Sequence, residues 1–377
     1  MSNVEIKAVT TRRDKKRFLE LPWKIYRNHP HWIPPLRMNQ KELVGFKHHP
    51  FYDNNERQAF LAMRDGEPVG RILGLINREH NRRYKENRGF FGFFESIDDT
   101  EVSRGLFDAV MQWLEQYDIR QLRGPVNPSL NYECGLLVDG FDSSPFFMMT
   151  YNHPYYEPLI KNYGFEKSQD LCAFWGHVDM LETLDEKLEI IAKAAAERFN
   201  VKMRRLNPKN FKKDVHAFLD IYNQSLVNTW GFTPLSDAEM KHLSQGLRQL
   251  IAPELTTIAE VDGRPVAAAF GLLDYNPRVR KIDGKLFPFG FLRLLGKRKA
   301  IKNARILSTN VIPEYQRWGL GVSVLSRLRQ DVLDWGLEEV EFSWVLETNH
   351  LSYKTLQRGG AKLYKTYRIF DLDQQQP

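Results

Sequence analysis

The sequence predicts an α/β fold built twice, a mixed sheet flanked by helices and repeated in tandem along one chain. Three observations carry that expectation. The first is a self-match at one constant offset. DGEPVGRILGLI begins at Asp65 and DGRPVAAAFGLL at Asp262; NHPYYEPLIKNYGF begins at Asn152 and NHLSYKTLQRGGA at Asn349; NVEI at Asn3 answers NVKM at Asn200, each pair 197 positions apart. Three separate matches at one spacing mean a duplication. The second is the mixture of periodicities within each copy, strand-like alternation interleaved with helical spacing, which marks a sheet layered with helices. The third is length: 377 residues exceed the ~100 to 200 that one domain usually holds, so two domains are expected.

The elements follow in order. VEIKAV and its counterpart VKMRRL alternate apolar and polar residues and read as opening strands, while KKRFLELPWKIYRN and FKKDVHAFLDIYNQ carry apolar residues at helical spacing. Next, FLAMRDGEPVGRILGLI and TTIAEVDGRPVAAAFGLL set two apolar runs around Asp-Gly, the two-residue turn of a hairpin. A further strand, a helix, another strand and the Asn-His segment close each copy. MLETLDEKLEIIAKAAAERF, Met180 to Phe199, has helical composition and joins the copies. The expected organisation is a first domain over 1–179, a linking helix over 180–199 and a second domain over 200–377.

Bulk chemistry narrows the function. Lys and Arg number 54 against 47 Asp and Glu, a formal charge of +7, which favours an anionic partner such as a phosphate or a lipid surface. The two cysteines, Cys134 and Cys172, lack metal-ligand spacing, so neither a disulfide framework nor a metal site is expected and a reducing cytoplasm fits. The N-terminal MSNVEIKAVTTRRDKKRF lacks the apolar core of a signal peptide, and no apolar run is long enough to span a bilayer. The expectation is a cytoplasmic protein, peripheral at the inner face of the membrane if it touches one.

The segment with most chemistry is VIPEYQRWGLG, Val311 to Gly321. ARILSTNVI before it reads as a buried strand and VSVLSRLRQDVLDWGL after it as a helix. A strand entering a glycine-containing turn that opens a helix leaves unpaired N–H groups and a favourable dipole for a phosphate or pyrophosphate. Gly319 and Gly321 also have the simpler reading of turn residues. Neither GxxxxGK[ST] nor GxGxxG is present.

Gln316-Arg317-Trp318-Gly319-Leu320-Gly321 resembles the Q/R-x-x-G-x-G/A signature of the GNAT superfamily of acyl-CoA-dependent N-acyltransferases, and ETNHLSYKTLQRGGAKLY resembles that family's second motif. The resemblance implies two tandem GNAT-like acyl-CoA N-acyltransferase domains with no permanently bound cofactor and acyl-CoA as co-substrate. It implies that the loop holds the coenzyme A pyrophosphate, that backbone at Asn310, Val311 and Ile312 pairs with the pantetheine arm, and that Asn349 belongs to the donor site. The first copy departs from the pattern: GFFGFFESIDDTEVSRGLFDAV lacks the signature and offers Asp98, Asp99 and Glu101, carboxylates that repel a phosphate. One acyl-CoA site is expected, in the second copy, with the first as a degenerate partner that supports or completes the acceptor site.

Acyl transfer to an amine needs a positioned thioester, an acceptor freed of its proton, a polarised carbonyl and an acid for the leaving thiolate. In many members of the family the acid is a Tyr seven positions after the motif Asn; here that position is Leu356. Tyr353, His350 and Tyr364 are the substitutes at hand, with Glu347 as a base at the strand end. Each has a plainer reading beside it: His350 or Asn349 as a helix cap, Tyr353 packed, Glu347 solvated.

An insertion, Arg278 to Arg305, separates strands of the second copy. Its Leu286, Phe287, Phe289, Phe291, Leu292, Leu294 and Leu295 are bracketed by Arg and Lys, a composition suited to an anionic membrane interface, to roofing a hydrophobic channel, or to packing on the sister domain. Clustered Leu and Phe with Pro and Gly favour hydrocarbon over base stacking, so no nucleic acid is expected. GPVNPSLNYECGLLVDGF and GKLFPFGFLRLL also resemble a bacterial two-domain branch associated with N-acylation of long-chain sphingoid amines. On that resemblance the acceptor is a lipid-like amine, and the polar loop carrying Asn127, Asn131 and Glu133 seats it. Kept beside this are an acetyl-CoA-dependent N-acetyltransferase for a small amine or protein, and a non-catalytic acyl-CoA-binding protein.

Overall fold

The computed structural model describes residues 3–181 and 186–373, so residues 182–185 of the predicted joining segment lie outside it. The first copy runs β1 (Glu5–Ala8), α1 (Arg12–Ile25), α2 (Arg37–Leu43), β2 (Glu56–Arg64), β3 (Glu67–Ile76), α3 (Arg78–Tyr84), β4 (Arg88–Ser96), α4 (Thr100–Glu115), β5 (Gln121–Gly124), the short β6 (Val126–Asn127) and β7 (Glu133–Cys134), β8 (Leu136–Asp139), α5 (Tyr156–Tyr163) and β9 (Glu166–His177). The joining helix is α6 (Glu186–Arg198). The second copy runs β10 (Lys202–Arg204), α7 (Phe211–Ser225), α8 (Asp237–Leu247), β11 (Thr256–Val261), β12 (Arg264–Leu273), α9 (Asn276–Lys281), α10 (Gly290–Leu295), β13 (Asn303–Val311), α11 (Leu320–Trp335), β14 (Glu339–Leu346), α12 (His350–Arg358) and β15 (Lys362–Asp373).

The chain divides into two compact units, Met1–Asp170 with Asn276–Phe291 and Thr366–Pro377, and Leu171–Tyr275 with Leu292–Lys365. This division is by contact and does not follow the duplication. In the first unit the sheet runs from β1 through β5 and is closed by the second copy's last strand, β15, whose Phe370 lies opposite Gly124 of β5. In the second unit the sheet runs from β10 through β14 and is closed by β9, whose Phe174 lies opposite Phe342 of β14. Each unit thus contains the closing strand of the other copy's sequence.

Local chemistry accounts for the elements. Both predicted hairpins form at Asp-Gly, with Asp65 and Gly66 at φ 52° and 78° and Asp262 and Gly263 at 50° and 79°, the left-handed pair that matches strand twist. In the first unit Ile72, Phe91, Leu106, Phe107, Val110, Tyr156, Ile160 and Phe370 form the core under α4 and α5. Each such side chain contributes ~1.5–3 kcal/mol by leaving water. In the second unit Leu320, Val324, Leu328, Val332 and Trp335 are the buried stripe of α11, which ends at Gly336, φ 75°.

Candidate functional site

In the second unit the site begins where two parallel strands stop pairing. β13 continues to Val311, yet its register with β14 ends at Ile306 opposite Phe342. On its other side β13 stays paired with β12 as far as Val311 opposite Ala267. The stretch that includes Asn310 and Val311 is therefore held along one edge only. The predicted Ile312 differs: its N–H donates to Val266 O at 3.0 Å and its side chain is buried, so the sheet already uses it.

The strand then enters the predicted loop. Gln316 Nε2 donates to Val311 O at 2.9 Å and to Ser225 O at 3.1 Å, so this side chain braces the loop. Arg317 and Gly319 both sit at positive φ, 68° and 85°, and Gly319 is the N-cap of α11 with no side-chain cap bond. The first turn of α11 thus presents N–H groups that no side chain caps. In the first copy the matching helix end is filled. Asp99 caps α4, accepting from Glu101 N at 2.8 Å and Val102 N at 3.4 Å while Arg64 holds it at 2.7 Å.

Of the two glycines only Gly319 is sterically required. A Cβ there would stand 2.4 Å from Ile191 Cγ2 of α6, whereas at Gly321 it would meet Thr309 and Val311 methyls at an ordinary 3.7 Å. α6 runs along α11: Ser323 Oγ donates to Ala192 O at 2.7 Å, and the Arg198 guanidinium lies 3.8 Å over the ring of the exposed Trp318.

The α12 residues separate by environment. Asn349 caps the helix, accepting from Ser352 N at 3.2 Å, and His350 is exposed on the first turn. Tyr353 is half-buried, its ring edge-on to Phe174 at 4.9 Å, and Glu347 is half-buried at the end of β14. Tyr364 stands apart from them, donating to the fully buried Glu341, which Ser343 and Arg305 also hold. Leu356, where the resemblance expects a Tyr, lines an apolar cavity of about 120 Å³ with Leu188, Val322, Leu325, Leu328 and Phe342. The same helix pair in the first unit, α4 and α5, is packed shut by Phe107, Tyr163 and Phe165, rings 5.0 to 5.9 Å apart.

The first unit has a different opening, a cavity of about 150 Å³. Its lining includes Asn127 and Glu133 but not Asn131. Asn127 also serves the sheet. The parallel register of β4 with β5 ends at Phe90 opposite Arg123, and beyond it Asn127 Oδ1 accepts from Phe93 N at 2.7 Å. The gap left open beside β13 is here filled by chain.

Sequence reasoning missed the charged centre of this cavity. The Glu95 carboxylate accepts from Tyr156 OH at 2.7 Å, Tyr26 OH at 2.8 Å and Arg71 at 3.4 Å; Arg71 also donates to Phe18 O at 2.7 Å. Burial pushes the Glu95 carboxyl above its ordinary range, with Arg71 and both hydroxyls pulling against it. Trp32 stacks on Tyr26 at 5.1 Å, and His153 stacks on Tyr26 at 4.7 Å. Burial lowers the His153 pKa, which keeps the imidazole neutral at pH 7. The available signal was a charged residue inside each of two apolar strands, Arg71 in PVGRILGLI and Glu95 in GFFGFFES.

No family model matches the sequence. Two relatives match almost end to end. Protein YghO of Escherichia coli (strain K12) is 32% identical over 374 residues, 97% of this chain and 94% of that protein. The bacterial ceramide synthase of Caulobacter vibrioides (strain NA1000 / CB15N) is 33% identical over 383 residues, 98% of this chain and 97% of that protein. The solved structure of a tandem GNAT protein from the clavulanic acid biosynthesis pathway is alike over 100% of both chains, with a TM-score of 0.57 at 11% identity, a likeness of fold.

The chain belongs to one family with these two relatives and has the tandem GNAT fold. Within this tandem GNAT frame the two units have diverged at matching places. The second keeps an uncapped helix end and a half-paired strand, and the first fills both with its own side chains.

Proposed function

We propose that this tandem GNAT protein transfers an acyl group from acyl-coenzyme A to a long-chain or lipid-like amine, with the donor held by the second unit and the acceptor by the first. The observation that carries the reading is the contrast at the two helix ends: Gly319 leaves α11 uncapped, whereas Asp99 puts a carboxylate on α4. An anion is stabilised at the first and repelled at the second. In this reading the loop Gln316, Arg317, Trp318, Gly319, Leu320 and Gly321 receives the pyrophosphate, the half-paired edge at Asn310 and Val311 meets the pantetheine arm, and Asn349 sets the start of α12 beside it.

The chemistry asks for a neutral amine to attack the thioester carbonyl, with a proton delivered to the departing sulfur. Glu347 is the proposed base and Tyr353 or His350 the proposed acid. The cavity behind Leu356 supports a donor with a long acyl chain, because its walls are almost wholly apolar. A lipid-like acceptor is supported by the 33% identity to a protein named bacterial ceramide synthase. Asn127, Asn131 and Glu133 are proposed to position that acceptor. Peripheral membrane contact through 278–305 is supported by Phe287, Phe289 and Leu292, exposed by 67%, 71% and 58% amid cations.

Calorimetric titration with coenzyme A, acetyl-CoA and palmitoyl-CoA tests the donor site, repeated on Gly321→Asp. Gly321 is the better probe because a side chain at Gly319 would strike Ile191. Binding that is tightest for palmitoyl-CoA and lost in the variant is expected; no binding by any of the three sinks the reading. Leu356 in place of the expected acid favours one second reading, a non-catalytic acyl-CoA binder. Turnover of palmitoyl-CoA with a long-chain amine decides between them.

A further inference from the structure

We infer that the cavity of the first unit binds the ammonium group of an amphipathic amine and that Glu95 is the residue that anchors it; that this amine is the acyl acceptor rests on the acyltransfer reading above. The Glu95 side chain is 13% exposed and lines the cavity. Tyr26, Tyr156 and Arg71 fix its orientation, so little ordering remains to be done when a cation arrives. Two carboxylates, Glu95 and Glu133, line the cavity against one guanidinium, Arg71. Trp32 adds an aromatic surface, which attracts cations, and Phe93 and Met148 give an attached hydrocarbon an apolar wall.

The duplication supplies the argument that this is a site and not a requirement of the fold. The strand register places Arg71 opposite Glu95, and in the second unit it places Ala268 opposite Asn310, the residues at the matching positions. The same sheet is built there with a neutral pair. A buried carboxylate and guanidinium that the architecture does not need are retained where a cavity opens beside them.

Calorimetry with decylamine and decan-1-ol tests the inference, because the two probes share a chain and differ in charge. The protein is expected to bind decylamine at least tenfold more tightly than decan-1-ol, Glu95→Gln to abolish that preference, and Glu95→Asp to restore part of it. A wild-type protein that does not distinguish the probes overturns the inference even if no variant folds, and so does a folded Glu95→Gln that still prefers the amine. Palmitoyl-CoA binding is followed in parallel. Its absence alongside an intact amine preference would defeat the donor assignment and leave the ammonium site standing.

Discussion

Gly92 in β4 of the first copy and Gly321 in α11 of the second meet opposite constraints. A Cβ on Gly92 would lie 1.7 Å from Val126 O, in the segment that fills the gap beside β4. Gly92→Ala therefore forces two backbones apart and is expected to cost about 3 kcal/mol in a urea melt. At Gly321 the nearest atoms are 3.7 Å away, φ is not positive, and the residue stands in the first turn of α11. Gly321→Ala is expected to leave the melt unchanged or raise it by ~0.5–1 kcal/mol, since Gly costs a helix that much relative to Ala. At the same scale, Tyr353→Phe and His350→Ala address the proposed acid. One of them is expected to lower kcat by ~10² with palmitoyl-CoA as donor. Full turnover in both removes these residues from the chemistry.

At the scale of elements, what differs between the copies is how their ends are finished. Asp99 finishes α4, and Asp99→Ala is expected to cost about 1 kcal/mol, measured by chemical denaturation. The closing strand of the first unit is fastened by a charge pair: Arg123 of β5 grips Asp371 of β15 through two bonds of 2.7 Å. Burial alone would raise the Asp371 carboxyl, and Arg123 outweighs it, so the folded value lies below the ordinary one. The sign follows from that depression. The pair's stabilisation is present above the unfolded carboxyl pKa and is lost as pH falls through the lower folded value. Arg123→Ala is expected to cost ~1.5–3 kcal/mol at neutral pH, because the half-buried Asp371 carboxylate loses two charge-assisted bonds and keeps only Arg88 and Ser168 beside it. The gap in melting temperature between wild type and variant should begin to narrow as pH falls below ~4. A gap that does not narrow with falling pH would show that Arg123 acts by packing instead.

For the whole molecule, the exposed tip of the insertion is the feature with the largest expected consequence. Its base is fastened within the first unit: Asp283 takes bonds from Trp23 and Arg37, and Arg280 donates to Ser144 at 2.8 Å. Phe287, Phe289 and Leu292 are exposed, and Lys285, Arg293 and Lys297 lie close to them in sequence. Among the described residues no helix is long and apolar enough to cross a membrane, so lipid contact would rest on such a surface. Co-sedimentation with phosphatidylglycerol vesicles is expected to fall more than tenfold in a Phe287→Ser, Phe289→Ser, Leu292→Ser variant, each side chain contributing up to ~1.5–3 kcal/mol when buried. Raising salt should weaken the wild-type protein. Binding by wild type and variant alike would return the insertion to a packing role.

The sequence by itself determined the duplication, both Asp-Gly hairpins and the strand–loop–helix around Gly319, because each is written in local periodicity or in backbone chemistry spanning a few residues, and the resemblance of Gln316 to Gly321 to a known signature pointed to the fold family. It also marked Asn127 and Glu133, though not the cavity they line. Only the tertiary structure decided that each unit's sheet closes with the other copy's last strand, since strand partners far apart in sequence compete on terms that no local pattern encodes. It decided that α6 lies along α11, that Gln316 braces the loop and that Asn349 caps α12. Glu95 was illegible for the same physical reason. A carboxylate in an apolar strand reads as an anomaly until Tyr26, Arg71 and Tyr156, between 24 and 69 residues away, converge on it and give it a cavity to face.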